Sequence, residues 1–139
     1  MIIRPAISTD MTTWLALRNL PDVRAASTQS APVADQAHAE WFTRALRNPV
    51  MKLLVAEAAD GELAGWVRRQ MWSLTETHIA VHPDYRYQGV GGQLLQAIEK
   101  DPLTTRMLAR IGPSNSASLR LFLGQGYTVP QEMWLVKHL

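Results

Sequence analysis

The stretch Val81-His82-Pro83-Asp84-Tyr85-Arg86-Tyr87-Gln88-Gly89-Val90-Gly91-Gly92-Gln93-Leu94-Leu95 constrains this chain most. It reads as the end of a strand, a short loop and a glycine-rich helix start. Glu76 to Val81 supply the strand, and Leu94, Leu95 and Ile98 mark one face of the helix. Asp101-Pro102 then stops that helix, because proline cannot continue it. Three glycines at a helix start leave backbone N–H groups uncovered by side chains. Those groups, with the positive end of the helix dipole, suit a phosphate or pyrophosphate. Arg86 places a fixed positive charge just before them.

Composition narrows the partners. At 139 residues the expectation is a single domain, 1–139, with one core. No apolar run approaches the roughly 20 residues of a membrane span, and Met1-Ile2-Ile3-Arg4-Pro5 is too soon interrupted for a signal peptide. A cytoplasmic protein without membrane contact is therefore expected. The chain has no cysteine, which excludes disulfides, thiolate catalysis and thiolate metal sites, and no metal is expected. A net charge of +2 without a basic run fits an anionic small ligand better than nucleic acid, which wants a denser basic stripe.

In chain order, Ile2–Arg4 reads as a strand. A helix capped by Ser8 runs to about Asn19, where Pro21 ends it. Residues 22–33 carry turn chemistry, and a second helix spans about 34–47. Strands follow over 51–57, 63–72 and 76–81, with Asp60-Gly61 as the first turn. After the central helix come a strand over 106–111, a helix capped by Ser114 or Asn115, a C-terminal Gly126, and strands over 127–129 and 132–137.

Two familiar glycine motifs are absent. No Gly-Lys-Ser or Gly-Lys-Thr occurs, and in a dinucleotide fingerprint the third glycine would fall on Leu94. What is present is Arg86-x-x-Gly89-x-Gly91 with Val81-x-Pro83 in front. Taken alone, this run has a plain glycine-rich strand-to-helix turn as its alternative reading. A second run, Asn115-x-x-Ser118-x-x-x-Phe122-x-x-x-Gly126-Tyr127, stands at the expected distance behind it. Together the two runs, and the order β-α-α-β-β-β-α-β-α-β-β, resemble the GNAT superfamily of N-acetyltransferases over nearly the whole chain. The resemblance implies an α/β fold of the α+β type: a mixed, mostly antiparallel seven-stranded sheet, splayed near its centre, with helices on both faces.

It also implies transfer of an acetyl group from acetyl-CoA to a small-molecule primary amine. The cofactor pyrophosphate would lie on the amides of Tyr87, Gln88, Gly89, Val90, Gly91 and Gly92, beside Arg86. The pantetheine arm would pair with the edge of Ile79-Ala80-Val81 as a peptide strand does. An N–H near Ala80 or Val81 would stabilise the thioester oxygen as it becomes negative. Asn115, Ser118 and Phe122 would complete the cofactor side. The amine must lose a proton, and Glu76, His78 and His82 share one strand face by period 2. Glu76 and His78 are the candidate catalytic pair; each is equally explicable as an ordinary sheet-face residue. His82, before Pro83, reads as structural, and His38 on the second helix is a further candidate for the base.

A finer resemblance lies in the N-terminal half. Leu17-Arg18-Asn19-x-x-x-Val23-Arg24-x-x-Ser27 and His38-x-x-Trp41-Phe42 are similar to a GNAT subgroup that acetylates amino-sugar nucleotides in pseudaminic-acid biosynthesis. It implies that Asn19, Arg24, Ser27, His38 and Trp41 line the acceptor site. Three departures stand out: Leu17 where the subgroup has tryptophan, Tyr87 where the family has glycine, and Phe122 where many members have a proton-donating tyrosine. Peptide, amino-acid and polyamine acceptors, and a CoA-binding module without turnover, remain as alternatives, and a homodimer is left open.

Overall fold

The computed structural model describes residues 1–27, 29–71, 75–102, 106–130 and 137. Its sheet is β1 (Ile2–Pro5), β2 (Met51–Glu57), β3 (Leu63–Met71) and β4 (Thr75–Val81), in that order and antiparallel throughout. Three helices intervene between β1 and β2: α1 (Met11–Arg18), α2 (Pro21–Ala25) and α3 (Asp35–Arg47). Two follow β4: α4 (Val90–Glu99) and α5 (Ser116–Gly124).

The sheet is covered on both faces, and the strand sequences show why. In β2, Leu53, Leu54, Val55 and Ala56 are all buried. Alternation sends Leu53 and Val55 to one side, against Trp14 and Leu17 of α1 and Phe42 and Ala45 of α3. Leu54 and Ala56 face the other side with Leu94, Leu95 and Ile98 of α4 and Phe122 of α5. The same pleat separates Arg68 from Arg69. Arg69 is 1% exposed and pairs with Asp101 (3.2 Å) at the end of α4. Arg68 faces the α1/α3 layer, its guanidinium 5.0 Å from the Trp41 ring centre.

Four sequence expectations change. Ser8 is not a cap; it opens a 3₁₀ turn, Ser8–Asp10, whose capping acceptor is Asp10. Asp10 accepts from the Ile7 N–H (2.8 Å) and takes both arms of the Arg4 guanidinium (2.8 and 2.9 Å). Pro21 begins α2 rather than merely ending α1. Among the described residues the strand expected over 106–111 is reduced to one parallel bridge, Leu108 with Glu76. Residues 127–129 form no strand pairing among the described residues, and the strand expected over 132–137 lies outside them except at Lys137. Among the described residues the sheet thus holds four of the seven expected strands. The end of α5 is as read. Gly126 has φ +90°, its N–H bonds Leu123 O and the Tyr127 N–H bonds Phe122 O (3.1 and 3.0 Å), a Schellman closure. No helix among the described residues is long and apolar enough to cross a membrane.

Burial raises the Asp10 carboxyl, but the Arg4 bonds and the Ile7 N–H outweigh it and hold the group below its usual range. A depressed folded-state pKa contributes stability above the unfolded value, lost as pH falls through the folded one. Asp10→Asn should therefore cost about 2 kcal/mol in denaturant melts at pH 7. The gap to wild type should close well below pH 4, about the unfolded-state value of a free aspartate. A gap that persists undiminished at pH 2 would contradict this.

Candidate active site

The site begins where β4 loses its second neighbour. The Thr77 N–H donates to Leu108 O at 2.9 Å, so Thr77 points away from β3. Backbone groups alternate along a strand, which turns Ile79 and Val81 to the same outer side. The His82 N–H, one residue further, bonds Ala64 O of the β3 side at 2.7 Å, which fixes the phase. Beyond Thr77 no described residue pairs with this edge. Ile79 therefore offers both backbone groups and Val81 its N–H, while the Val81 carbonyl accepts from Arg86 Nε at 3.0 Å. Of the two donors expected to meet the thioester oxygen, Ala80 is excluded: by the same phase its N–H faces Trp66, its partner in β3.

Gly65 sets how close this edge lies. A Cβ on it would stand 2.7 Å from Ala80 O and 3.3 Å from Val81 Cα. Only glycine lets β3 and the end of β4 approach that far.

The loop that follows presents amides. Tyr87 (φ +59°) and Gly89 (φ +81°) are left-handed, giving the backbone the concave form of an anion nest. Gly89 is the N-cap of α4 and no side chain caps the helix. The amides of Val90, Gly91 and Gly92 thus have no intrahelical acceptor. The glycines divide the work differently from the expectation. Gly89 supplies the positive φ. Gly91 and Gly92 make room for α5, since a Cβ on them would stand 2.9 Å from Leu121 and 3.0 Å from Gln125. Tyr87 is 90% exposed, and its backbone, not its ring, shapes the nest. Arg86 is less free than expected: beyond Val81 O it is paired with Asp22 of α2.

Nest and edge open into one cleft of about 890 Å³, which reaches past α5 to α1, α2 and α3. On the α5 wall, Asn115 Oδ1 caps the helix through the Ser118 N–H (3.1 Å), and its Nδ2 donates to Ala26 O across the cleft (3.2 Å). Phe122 is buried with its ring edge-on to Tyr127 (4.8 Å between centres). The Tyr127 hydroxyl donates to Met107 Sδ and does not line the cleft.

At the opposite end stand the proton-handling groups. Glu76 accepts from Arg110 at 3.1 Å and lies 3.4 Å from His78 Nε2. Burial, then the charge on Arg68, pushes His78 down to about 4, so it is neutral at pH 7. His82 is structural: its Nδ1 accepts from the Asp84 N–H.

Of the residues expected on the acceptor side, Ser27, His38 and Trp41 line the cleft. His38 is buried there and donates Nε2–H to Met11 O at 3.0 Å, tying α3 to α1. Asn19 and Arg24 do not line the cleft. Asn19 clamps both backbone groups of Val33 (2.9 Å each), and Arg24 holds Asn19 O and Ser30 O (3.2 Å each). The sequence reading missed Arg18, Trp66, Arg68, Gln70 and Arg110, all cleft residues. Alternation along β3, which puts Trp66, Arg68 and Gln70 on one face, was the available signal.

A family profile for the acetyltransferase (GNAT) domain matches residues 50–129. The chain belongs to the GNAT acetyltransferases, enzymes that use acetyl-CoA. Among solved structures, the Salmonella typhimurium protein yncA, determined with its cofactor acetyl-CoA, is similar with a TM-score of 0.82. It is 26% identical, over 96% of this chain and 82% of its own. A ribosomal-protein-alanine N-acetyltransferase from Brucella melitensis aligns at TM-score 0.78 and 24% identity, over 91% and 83%. A phosphinothricin acetyltransferase from Sinorhizobium meliloti in complex with acetyl-CoA aligns at 0.79 and 22%, over 90% and 73%. These two share the fold. A search of curated protein sequences returned no match.

Gly65→Ala should press Cβ into the β4 backbone and cost about 1–3 kcal/mol. Acetyl-CoA affinity should fall with it, because the displaced segment is the open edge. Calorimetry on the folded variant checks both; an unchanged Tm and Kd would refute the role given to Gly65.

Proposed function

We propose that this chain, as one domain over residues 1–139, transfers acetyl from acetyl-CoA to the primary amine of a small molecule by direct attack in a ternary complex. The observation that carries the proposal is the continuity of the cleft, which runs from uncapped helix amides past a strand edge that no described residue pairs to Glu76 and His78. Bound acetyl-CoA supplies an activated acetyl thioester. The amides of residues 87–92 would hold its pyrophosphate, and Ile79 and Val81 its pantetheine arm. Asn115, Ser118 and Phe122 would form the facing wall. The Val81 N–H is the donor left for the thioester oxygen.

The acceptor arrives mostly as ammonium. His78, pushed down to about 4, is neutral at pH 7 and only a weak base. Glu76 is the base in this proposal, directly or through a water, with His78 orienting its carboxylate. Phe122 offers no proton to the departing sulfur, and Tyr127 does not replace it. A thiol with a pKa near ~8.5 leaves acceptably as thiolate, so turnover does not require that donor. For the acceptor we favour an amino sugar or sugar nucleotide. Trp41 offers an aromatic wall to a sugar face, and Ser27 and His38 line the same end.

Release of CoA thiol with a panel of amines tests the activity. Glu76→Gln should lower kcat by about 10²–10⁴-fold at constant acetyl-CoA Kd. A loss below about threefold would remove Glu76 from the role. His78→Gln should leave the acid limb of kcat/KM between pH 5 and 8 where it is; disappearance of that limb would make His78 the base.

A further inference from the structure

The cleft contains two arginines that the reaction above does not use. Arg68 projects from β3 into the cleft beside Trp66 and Gln70, and its Nε is buried without a hydrogen-bond partner. Arg18, at the end of α1, donates Nη2 to Gln29 O at 2.8 Å, but its Nη1 is likewise buried and unpartnered. Neither has a carboxylate within ion-pair distance among the described residues. The contrast with their neighbours is direct. Arg86 has Asp22, Arg110 has Glu76, and Arg4 has Asp10 and Glu57. The acid nearest in effect to Arg68 is Glu76, which is already shared between Arg110 and His78.

Two half-buried cations that repel each other are costly to keep. Burial first, then the Arg18 charge, lowers Arg68 to about 10, and burial, then Arg24, lowers Arg18. Two further polar atoms of the same cleft, Gln70 Oε1 and Trp66 Nε1, are also buried without partners. Arg18 and Arg68 are themselves only partly buried and line the cleft, so a ligand there would meet the rest of each guanidinium. Guanidinium forks match carboxylate and phosphate oxygens, and a buried pair of them rejects a polycation.

We propose that the acceptor carries an oxyanion, a carboxylate or a phosphate, besides its amine, and that Arg68 and Arg18 bind it against the Trp41 and Trp66 walls. Arg68 stands opposite His78 in the β3–β4 register. The oxyanion is therefore held next to the groups that receive the amine's proton, and away from the nest that takes the cofactor's phosphates. This rests on the acetyl-transfer reading and narrows its substrate class. Sugar phosphates, sugar nucleotides and amino acids fit; aminoglycosides and polyamines, polycations without an oxyanion, do not.

The test uses matched amines in a CoA-release assay: glucosamine with glucosamine 6-phosphate, and norvalinamide with norvaline. The wild type should prefer the anionic member of at least one pair by about tenfold or more in kcat/KM. The phosphate pair and the carboxylate pair tell the two oxyanions apart. Arg68→Gln and Arg18→Gln should each cut that preference to within about threefold through KM, with acetyl-CoA Kd unchanged. The melting temperature of free Arg68→Gln should not fall below wild type, since an uncompensated charge is removed; a scaffold arginine would lower it. Should Arg68→Gln not fold, the proposal fails on that count, and Arg18→Gln still reports the preference. In parallel, inorganic phosphate and acetate are titrated into the CoA-saturated protein by calorimetry, with the nest already filled. Saturable binding of either ion, weakened by both variants, supports the subsite even if no amine is turned over, an outcome that would count against the acetyl-transfer reading alone. Equal turnover of neutral and anionic partners, or ion binding indifferent to both variants, overturns the proposal.

Discussion

The parting of the chain from β4 is the constraint on which the rest depends. A strand flanked on both sides satisfies its backbone by pairing. Here, among the described residues, the outer side of β4 is paired once, by Leu108. The backbone groups of Ile79 and the Val81 N–H are left without a strand partner among the described residues. An extended ligand arm bearing amides of its own can satisfy them as a strand would. The cleft is the space that the diverging chain leaves. Gly65 holds the open edge against β3, and Gly91 and Gly92 let α5 close the far wall. Gly65 therefore shapes the binding region by permitting backbone approach, Gly91 and Gly92 by leaving room for the side chains of Leu121 and Gln125, and Gly89 through its own dihedral angle.

Polar contacts span the opening. Arg86 joins the glycine loop to Asp22 of α2, and Asn115 joins α5 to Ala26 just beyond it. The segment after α1 is thereby fastened to both walls of the cofactor end. Its own interior is tied by Asn19 and Arg24, whose side chains hold backbone groups of residues 30 and 33. The acceptor end is thus framed by a segment with little regular structure but many side-chain anchors.

Much of this was legible in the sequence. The helix over 35–47 shows itself in the spacing of Trp41, Phe42 and Ala45, and the glycine loop in its position between a strand and an apolar helix. Asn115 reads correctly as a cap because its side chain has a local target, the Ser118 N–H. What stayed hidden depends on distant partners. Asn19 and Arg24 look like ligand-binding residues until residues 30–33 fold back onto them. That Gly91 must also be small, because the Leu121 side chain lies against it, shows only once α5 is in place. The run 106–111 has the composition of a strand, yet pairing is decided by whether its neighbour stays alongside. Arg68-Arg69 reads as one patch of charge along the chain, whereas the pleat sends one side chain to Asp101 and the other to the cleft.

The central claim is that the α4 amides and the outer edge of β4 together receive acetyl-CoA. Amide chemical shifts during a titration with acetyl-CoA test it most directly, because they report the proposed donors themselves. The account predicts saturable binding with the largest shifts at residues 87–92 and at Ile79 and Val81, and small ones at Ala80, whose N–H faces β3. Shifts centred elsewhere, or shifts at the glycine loop with none at Ile79 and Val81, would contradict it.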